Sequence, residues 1–138
     1  MSRDFALHPQ LVKDTVVVGE LGLCCVRLMN DTNYPWLVLV PRVDAARELI
    51  DLDEAQQVAL LRDITTASRA LQTCFAPDKL NVAALGNMVP QLHIHVVARY
   101  TDDVAWPAPV WGRAPAVPYD ELSLADRIAQ LRGALESA

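Results

Sequence analysis

His93 and His95 stand two apart in the run Gln91-Leu92-His93-Ile94-His95-Val96-Val97-Ala98-Arg99, and these imidazoles are the side chains best suited to chemistry near neutral pH. In a strand, side chains alternate between faces. Gln91, His93, His95 and Val97 then share one face, and Leu92, Ile94, Val96 and Ala98 the other. The apolar set is the natural core face, which turns the histidines toward a cleft or solvent. Neighbouring rings resist being charged together, so one can attack as a nucleophile while the other donates or orients a proton. The preceding Gly86–Val89 loop carries a glycine, the Asn87 amide, Met88 and main-chain N–H groups, a set suited to phosphate oxygens.

Two other readings use the same residues. His-x-His on a strand supplies two zinc ligands, but a third must come from distant His8, a carboxylate, or cysteines without helpful spacing. Both histidines can also be core residues hydrogen-bonded within a sheet, which spacing alone favours because His-x-His is a weak motif.

The elements around the pair follow from hydrophobic pattern. Val89-Pro90 precedes the run, and a proline cannot donate to a ladder, so the strand is expected to start at Gln91. Pro9 opens a helical turn that lays Leu7 and Leu11 on the domain. Thr15–Val18 and Leu23–Met29 form a hairpin across Gly19 and Gly22. Asn30–Pro35 is a turn leading into Trp36–Pro41, whose unbroken apolar character suits a central strand. Asp51 with Glu54 resembles a capping box opening a long helix over 53–75, with Val58, Leu61, Ile64, Ala67 or Ser68, Leu71 and Phe75 on its apolar face. Lys79–Leu85 reads as a strand pairing antiparallel with the histidine strand. Residues 101–118 hold four prolines with Trp106 and Trp111, which rules out regular helix, and a last amphipathic helix begins at Ser123 or Asp126.

A length of 138 residues with 52% hydrophobic and 21% charged side chains fits one domain with a buried core, and no internal repeat or linker divides it. The expected fold class is α+β: an antiparallel sheet of about five strands, one long helix packed on it and a C-terminal helix. Its core spans about 15–100, with the Pro/Trp-rich tail and last helix in 101–138. A net charge of −5, from 12 Lys+Arg against 17 Asp+Glu, argues against a nucleic acid polymer as partner. Three cysteines, two of them adjacent, suit a reducing cytoplasm, and the chain has neither an apolar leader at its start nor a membrane-length apolar run.

The stretch Gly86–Arg99 resembles the signature of the histidine triad (HIT) family, His-x-His-x-His followed by two apolar residues. The order of elements from about residue 15 to 100 is similar as a whole, including the strand, Asn/Asp turn and proline-ended strand of Arg27–Pro41. The resemblance implies that His93 is the nucleophile attacking the α-phosphate of a nucleotide, forming a nucleotidyl-histidine, with His95 contacting phosphate. It places Asn30 or Asp31 near the ribose hydroxyls, Asn87 and Met88 in the phosphate loop, and the base against apolar side chains of the first strands. It implies a homodimer, a dinucleoside polyphosphate or nucleoside phosphoramidate as substrate, and no cofactor or metal. Two departures stand out. Gln91 occupies the first triad position, where an amide can hydrogen-bond but cannot take up a proton, and Trp36 stands where several relatives have another active-site histidine. A nucleotide-binding protein weakened or inactive in catalysis is the rival reading. In the tail, Trp106 is expected to wall the cleft and Trp111 to cover the sheet.

Overall fold

The all-apolar strand β3 (Trp36–Pro41) is buried at every position because it lies mid-sheet with both faces covered. This is a computed structural model, and it describes residues 5–138; residues 1–4, part of the N-terminus read above, lie outside it. Five strands, β1 (Thr15–Glu20), β2 (Cys24–Met29), β3, β4 (Lys79–Ala83) and β5 (Ile94–Arg99), form one antiparallel sheet in the order β1-β2-β3-β5-β4. The β1–β2 hairpin shifts register between Val17 and Gly19, where a bulge sharpens the twist.

One face of the sheet carries Leu37, Leu39, Ile94, Val96 and Ala98 into a core with the helices α2 (Glu54–Phe75) and α3 (Glu121–Ser137). The opposite face carries Trp36, Val38, Val40 and Val97 into a second core with Leu11 of the six-residue helix α1 (Pro9–Asp14) and with Ala105 and Val110 of the tail. The period-2 reading of the histidine run therefore holds from Ile94 onward, and the face bearing His95 is roofed by the tail.

Three details differ from the expected pattern. The box that opens α2 is formed by Asp53 and Gln56, whereas Asp51 caps a short 3-10 turn, Leu49–Asp51, two residues upstream. The buried stripe of α2 runs through Leu60, Asp63, Ala67, Ala70 and Leu71, leaving Val58 and Leu61 exposed. That rotation has a polar cause: Asp63 accepts the main-chain N–H groups of Leu23 and Cys24 at 2.8 and 2.9 Å, so a buried carboxylate closes the β1–β2 turn. Finally, α3 starts at Glu121 behind the N-cap Asp120, and seats Leu124, Ile128, Leu131 and Leu135 on the core as expected. Pro77 does follow the end of α2, where Ala76 turns left-handed at φ 43°.

The tail is held by Arg99, which is 1% exposed. Its guanidinium pairs with Asp103 at 2.7 Å, donates to Asn81 Oδ1 at 2.7 Å and to the Ala108 carbonyl at 2.8 Å, and lies 5.5 Å from the Trp106 ring centre. Burial pushes the Asp103 carboxyl up, but the Arg99 bond and the N–H groups of Tyr100, Trp106 and Ala105 outweigh it and hold it down at about 2. Among the described residues, no helix is long and apolar enough to cross a membrane.

Candidate active site

The two histidines do not share one ladder. β5 begins at Ile94, three residues later than expected, because residues 90–93 leave the sheet and are held by other bonds. Leu92 N–H donates to the Ala46 carbonyl at 2.9 Å, and Gln91 turns its amide away from the histidines, onto the N-terminal segment. The expected role of the Gln91 side chain as direct partner of a histidine ring is thus corrected. Gln91 meets His93 through its main-chain carbonyl, 2.7 Å from His93 Nδ1. A carbonyl only accepts, so Nδ1 carries a proton, and in the neutral ring the lone pair is on Nε2.

His95 is fixed in the opposite sense. Trp36 pairs with Val97 and Val38 with His95 across β3 and β5, which makes Trp36 and His95 diagonal neighbours on one face. The Trp36 indole N–H donates to His95 Nδ1 at 3.0 Å, and an indole only donates, so the His95 proton resides on Nε2. The rings lie 4.9 Å apart, centre to centre, with His93 7% and His95 4% exposed. Burial, and then the neighbouring His93, push the His95 imidazole down from its ordinary value of 6.5 to about 4. The pair therefore offers one free imidazole nitrogen and one neutral N–H donor side by side.

Both rings line a cleft of about 320 Å³. Its floor and walls include Leu11, Met29 and Trp36, and its rim is the Gly86–Val89 loop with Asn87 and Met88. Gly86 sits at φ +77°, a left-handed turn that its missing Cβ permits, and the loop it starts brings exposed main chain beside His93. A second hollow of about 370 Å³ adjoins it, shares Asp14, Met29, Trp36 and Trp111 with the first, and contains Asn30 and Asp31. Asn30 Oδ1 accepts the Tyr119 N–H at 2.9 Å, and Asp31 Oδ1 accepts those of Asn33 at 3.0 Å and Val117 at 3.2 Å. These bonds tie the tail to the turn between β2 and β3, beside the hollow where the resemblance places ribose contacts.

Trp111 covers the sheet as expected, packed on the second core, and it also takes the cleft position expected of Trp106. Trp106 stacks over Arg99 away from the cleft, while Trp111 lines both hollows, 5.1 Å from the His95 ring and 5.8 Å from Trp36. Asp14 was also missed; it closes α1 directly beside the cleft, with its carboxylate held by the Gln10 amide at 2.9 and 3.0 Å. Nothing in its residue type or spacing marks it in the sequence; the passage from α1 into β1 at Asp14-Thr15 puts it there. Among the described residues no three His, Cys, Asp or Glu side chains gather as metal ligands.

A two-histidine cleft on one face of a five-stranded antiparallel sheet, with a long helix packed on the other face, defines the class. The HIT domain profile matches residues 10–102, and the chain belongs to the histidine triad (HIT) family. It is similar to the crystal structure of a histidine triad protein from Bradyrhizobium japonicum, at 49% identity over 95% of this chain and 98% of that one, with a TM-score of 0.92. A histidine triad protein from Marinobacter aquaeolei VT8 is 50% identical over 96% and 97% of the two chains, TM-score 0.93. One from Sinorhizobium meliloti 1021 is 38% identical over 94% and 96%, TM-score 0.92. No curated protein matches significantly.

Proposed function

We propose that the protein is a nucleotide hydrolase or nucleotidyl transferase acting at the α-phosphate of a nucleotide derivative through a nucleotidyl-His93 intermediate. The observation that carries this reading is the pair of opposite, fixed tautomers. His93 Nε2 attacks the α-phosphorus as the bond to the leaving group breaks, and that bond's electron pair departs with the leaving group. The imidazole becomes cationic as the N–P bond forms, so its Nδ1–H bond to the Gln91 carbonyl strengthens in the transition state. His95 Nε2–H serves a nonbridging phosphate oxygen. Water, or another acceptor, then takes the nucleotidyl group; the N–P pair returns to Nε2, and water's proton goes to solvent.

His95 is a poor acid for the leaving group, because with a value near 4 only about one molecule in a thousand carries the extra proton at pH 7. Gln91 has no proton to supply either. A leaving group that departs as a stable anion fits this site, so a phosphoanhydride such as a dinucleoside polyphosphate is favoured over a phosphoramidate, whose amine needs a proton to leave. The base rests on Leu11, Met29 and Trp111, and Asn87 with the loop N–H groups holds phosphate. The rival reading, binding without catalysis, rests on Gln91 and Trp36 as departures from the family pattern, yet Trp36 orients the His95 ring, and the carbonyl that orients His93 belongs to the main chain at position 91.

The protein is proposed to work as a homodimer, supported by the exposed edge strand β4 with Val82 and the neighbouring exposed Leu85 and Ile50. Its cytoplasmic placement is supported by three free cysteines. The test is to mix protein with dinucleoside tetraphosphates and a nucleoside phosphoramidate, and to follow nucleoside monophosphate release and the mass of protein denatured at alkaline pH. A nucleotidyl adduct absent in His93→Ala, with turnover reduced at least ~10³-fold, is expected. Binding without adduct or turnover would leave the rival reading.

A further inference from the structure

Gln91 performs two tasks with two different parts of the same residue. Its side-chain amide donates to the Ala6 carbonyl at 2.9 Å and accepts the His8 main-chain N–H at 2.8 Å, gripping the segment 5–8 as a strand neighbour would. Its main-chain carbonyl accepts His93 Nδ1–H at 2.7 Å. That carbonyl belongs to the same peptide plane as Leu92 N–H, which donates to the Ala46 carbonyl at 2.9 Å. No ladder bond fixes this plane, since β5 starts only at Ile94. Apart from the bond to His93 itself, one hydrogen bond holds this plane, and the plane can pivot about it; a second anchor on Gln91 removes the pivot.

We propose that the N-terminal segment 5–8 is a positioning element for the nucleophile: clamped by the Gln91 amide, it fixes the Gln91 carbonyl and so keeps the proton of His93 on Nδ1 and the lone pair on Nε2. Gln at the first triad position then has a purpose of its own. A neutral imidazole there also offers one donor and one acceptor, but on two ring nitrogens rather than on the two atoms of one amide, so it would meet main-chain groups two residues apart in a different geometry. The catalytic consequence rests on the reading of His93 as nucleophile, whereas the effect on the His93 proton does not.

Two perturbations of the full chain test it. Gln91→Leu keeps side-chain bulk and the main-chain carbonyl but deletes the clamp. His8→Pro removes the N–H donor at a residue whose φ of −55° already suits proline, and is compared with His8→Ala, which equally loses the ring that caps α1 but retains the N–H. The readouts are the ¹⁵N shifts and Nδ1–H exchange of the His93 ring by NMR, and kcat and KM separately. Loss of a bond of this kind predicts about a five- to tenfold faster exchange and a kcat lower by a similar factor, with KM within about twofold, in Gln91→Leu and in His8→Pro relative to His8→Ala. An unchanged His93 ring spectrum in folded Gln91→Leu and His8→Pro overturns the proposal, even if melting temperatures fall. Should Gln91→Leu fail to fold, the His8 pair decides alone. If no nucleotide is turned over, the NMR arm still decides the positioning claim while the enzymatic reading fails separately.

Discussion

Trp36→Phe probes the hydrogen bond on which the role of His95 depends. The substitution keeps an aromatic ring in the position beneath the cleft but deletes the indole N–H that lies 3.0 Å from His95 Nδ1. His95 is buried, so its Nδ1 is left without a partner, at a cost of about 1–3 kcal/mol. The ring can relieve that cost by moving its proton to Nδ1 or by rotating, and either response withdraws the Nε2–H from the phosphate. If the donor had favoured the working tautomer by about 1.4 kcal/mol, the working form drops by about tenfold, and kcat with it. KM should change little, since the contact tightens mainly as charge develops. The same deletion raises the His95 value above about 4, because a proton on Nδ1 no longer faces another N–H; burial and His93 still hold it below 6.5. Steady-state kinetics and ¹H-¹⁵N correlation of the imidazoles across pH 3–8 measure both effects. A folded Trp36→Phe protein with wild-type kcat and an unmoved His95 titration would refute the tautomer argument outright.

Three further outcomes are expected. Trp111→Ala should alter preference among nucleotide substrates while Trp106→Ala does not, because Trp111 lines both hollows and Trp106 stacks on Arg99; a substrate panel run on both variants reads this directly. Stability should fall with pH below neutrality: His95 takes up its proton near 4 when folded and near 6.5 when unfolded, so the unfolded state gains protons first, and about 2 kcal/mol is lost by pH 5 and about 3 kcal/mol below pH 4. Urea unfolding at pH 7.5, 5 and 4 checks the sign, and His95→Asn should remove this part of the slope. Asp103→Asn should cost about 3–5 kcal/mol, because it leaves Arg99 buried without its ion-pair partner, and should loosen the tail; thermal melts and near-ultraviolet circular dichroism of the tryptophans report the two effects.

The parts of this molecule legible in its sequence are those set by local pattern. The β-branched and apolar runs gave β1, β2 and β3, the turn residues Asn30–Pro35 gave their connection, and period-2 alternation placed His95 on the face opposite the helices. What escaped is governed by polar groups meeting across long stretches of chain. Asp63 reads as the solvent side of an amphipathic helix, yet its carboxylate is buried because it meets N–H groups 39 and 40 residues earlier, and this turns α2 away from Val58 and Leu61. Gln91 reads as the first residue of a strand, yet its partners lie 83 and 85 residues away. Trp106 and Trp111 are equivalent by composition, and the choice between them is made by Arg99, whose buried charge draws one ring over itself and leaves the other beside His95. Hydrophobic periodicity carries no information about such pairs, since it records which face is apolar and not which donor finds which acceptor. The chemistry of this site, however, depends on donors and acceptors: the Gln91 carbonyl and the Trp36 indole decide where two protons sit, and neither could be assigned to its histidine before the fold brought them within 3.0 Å.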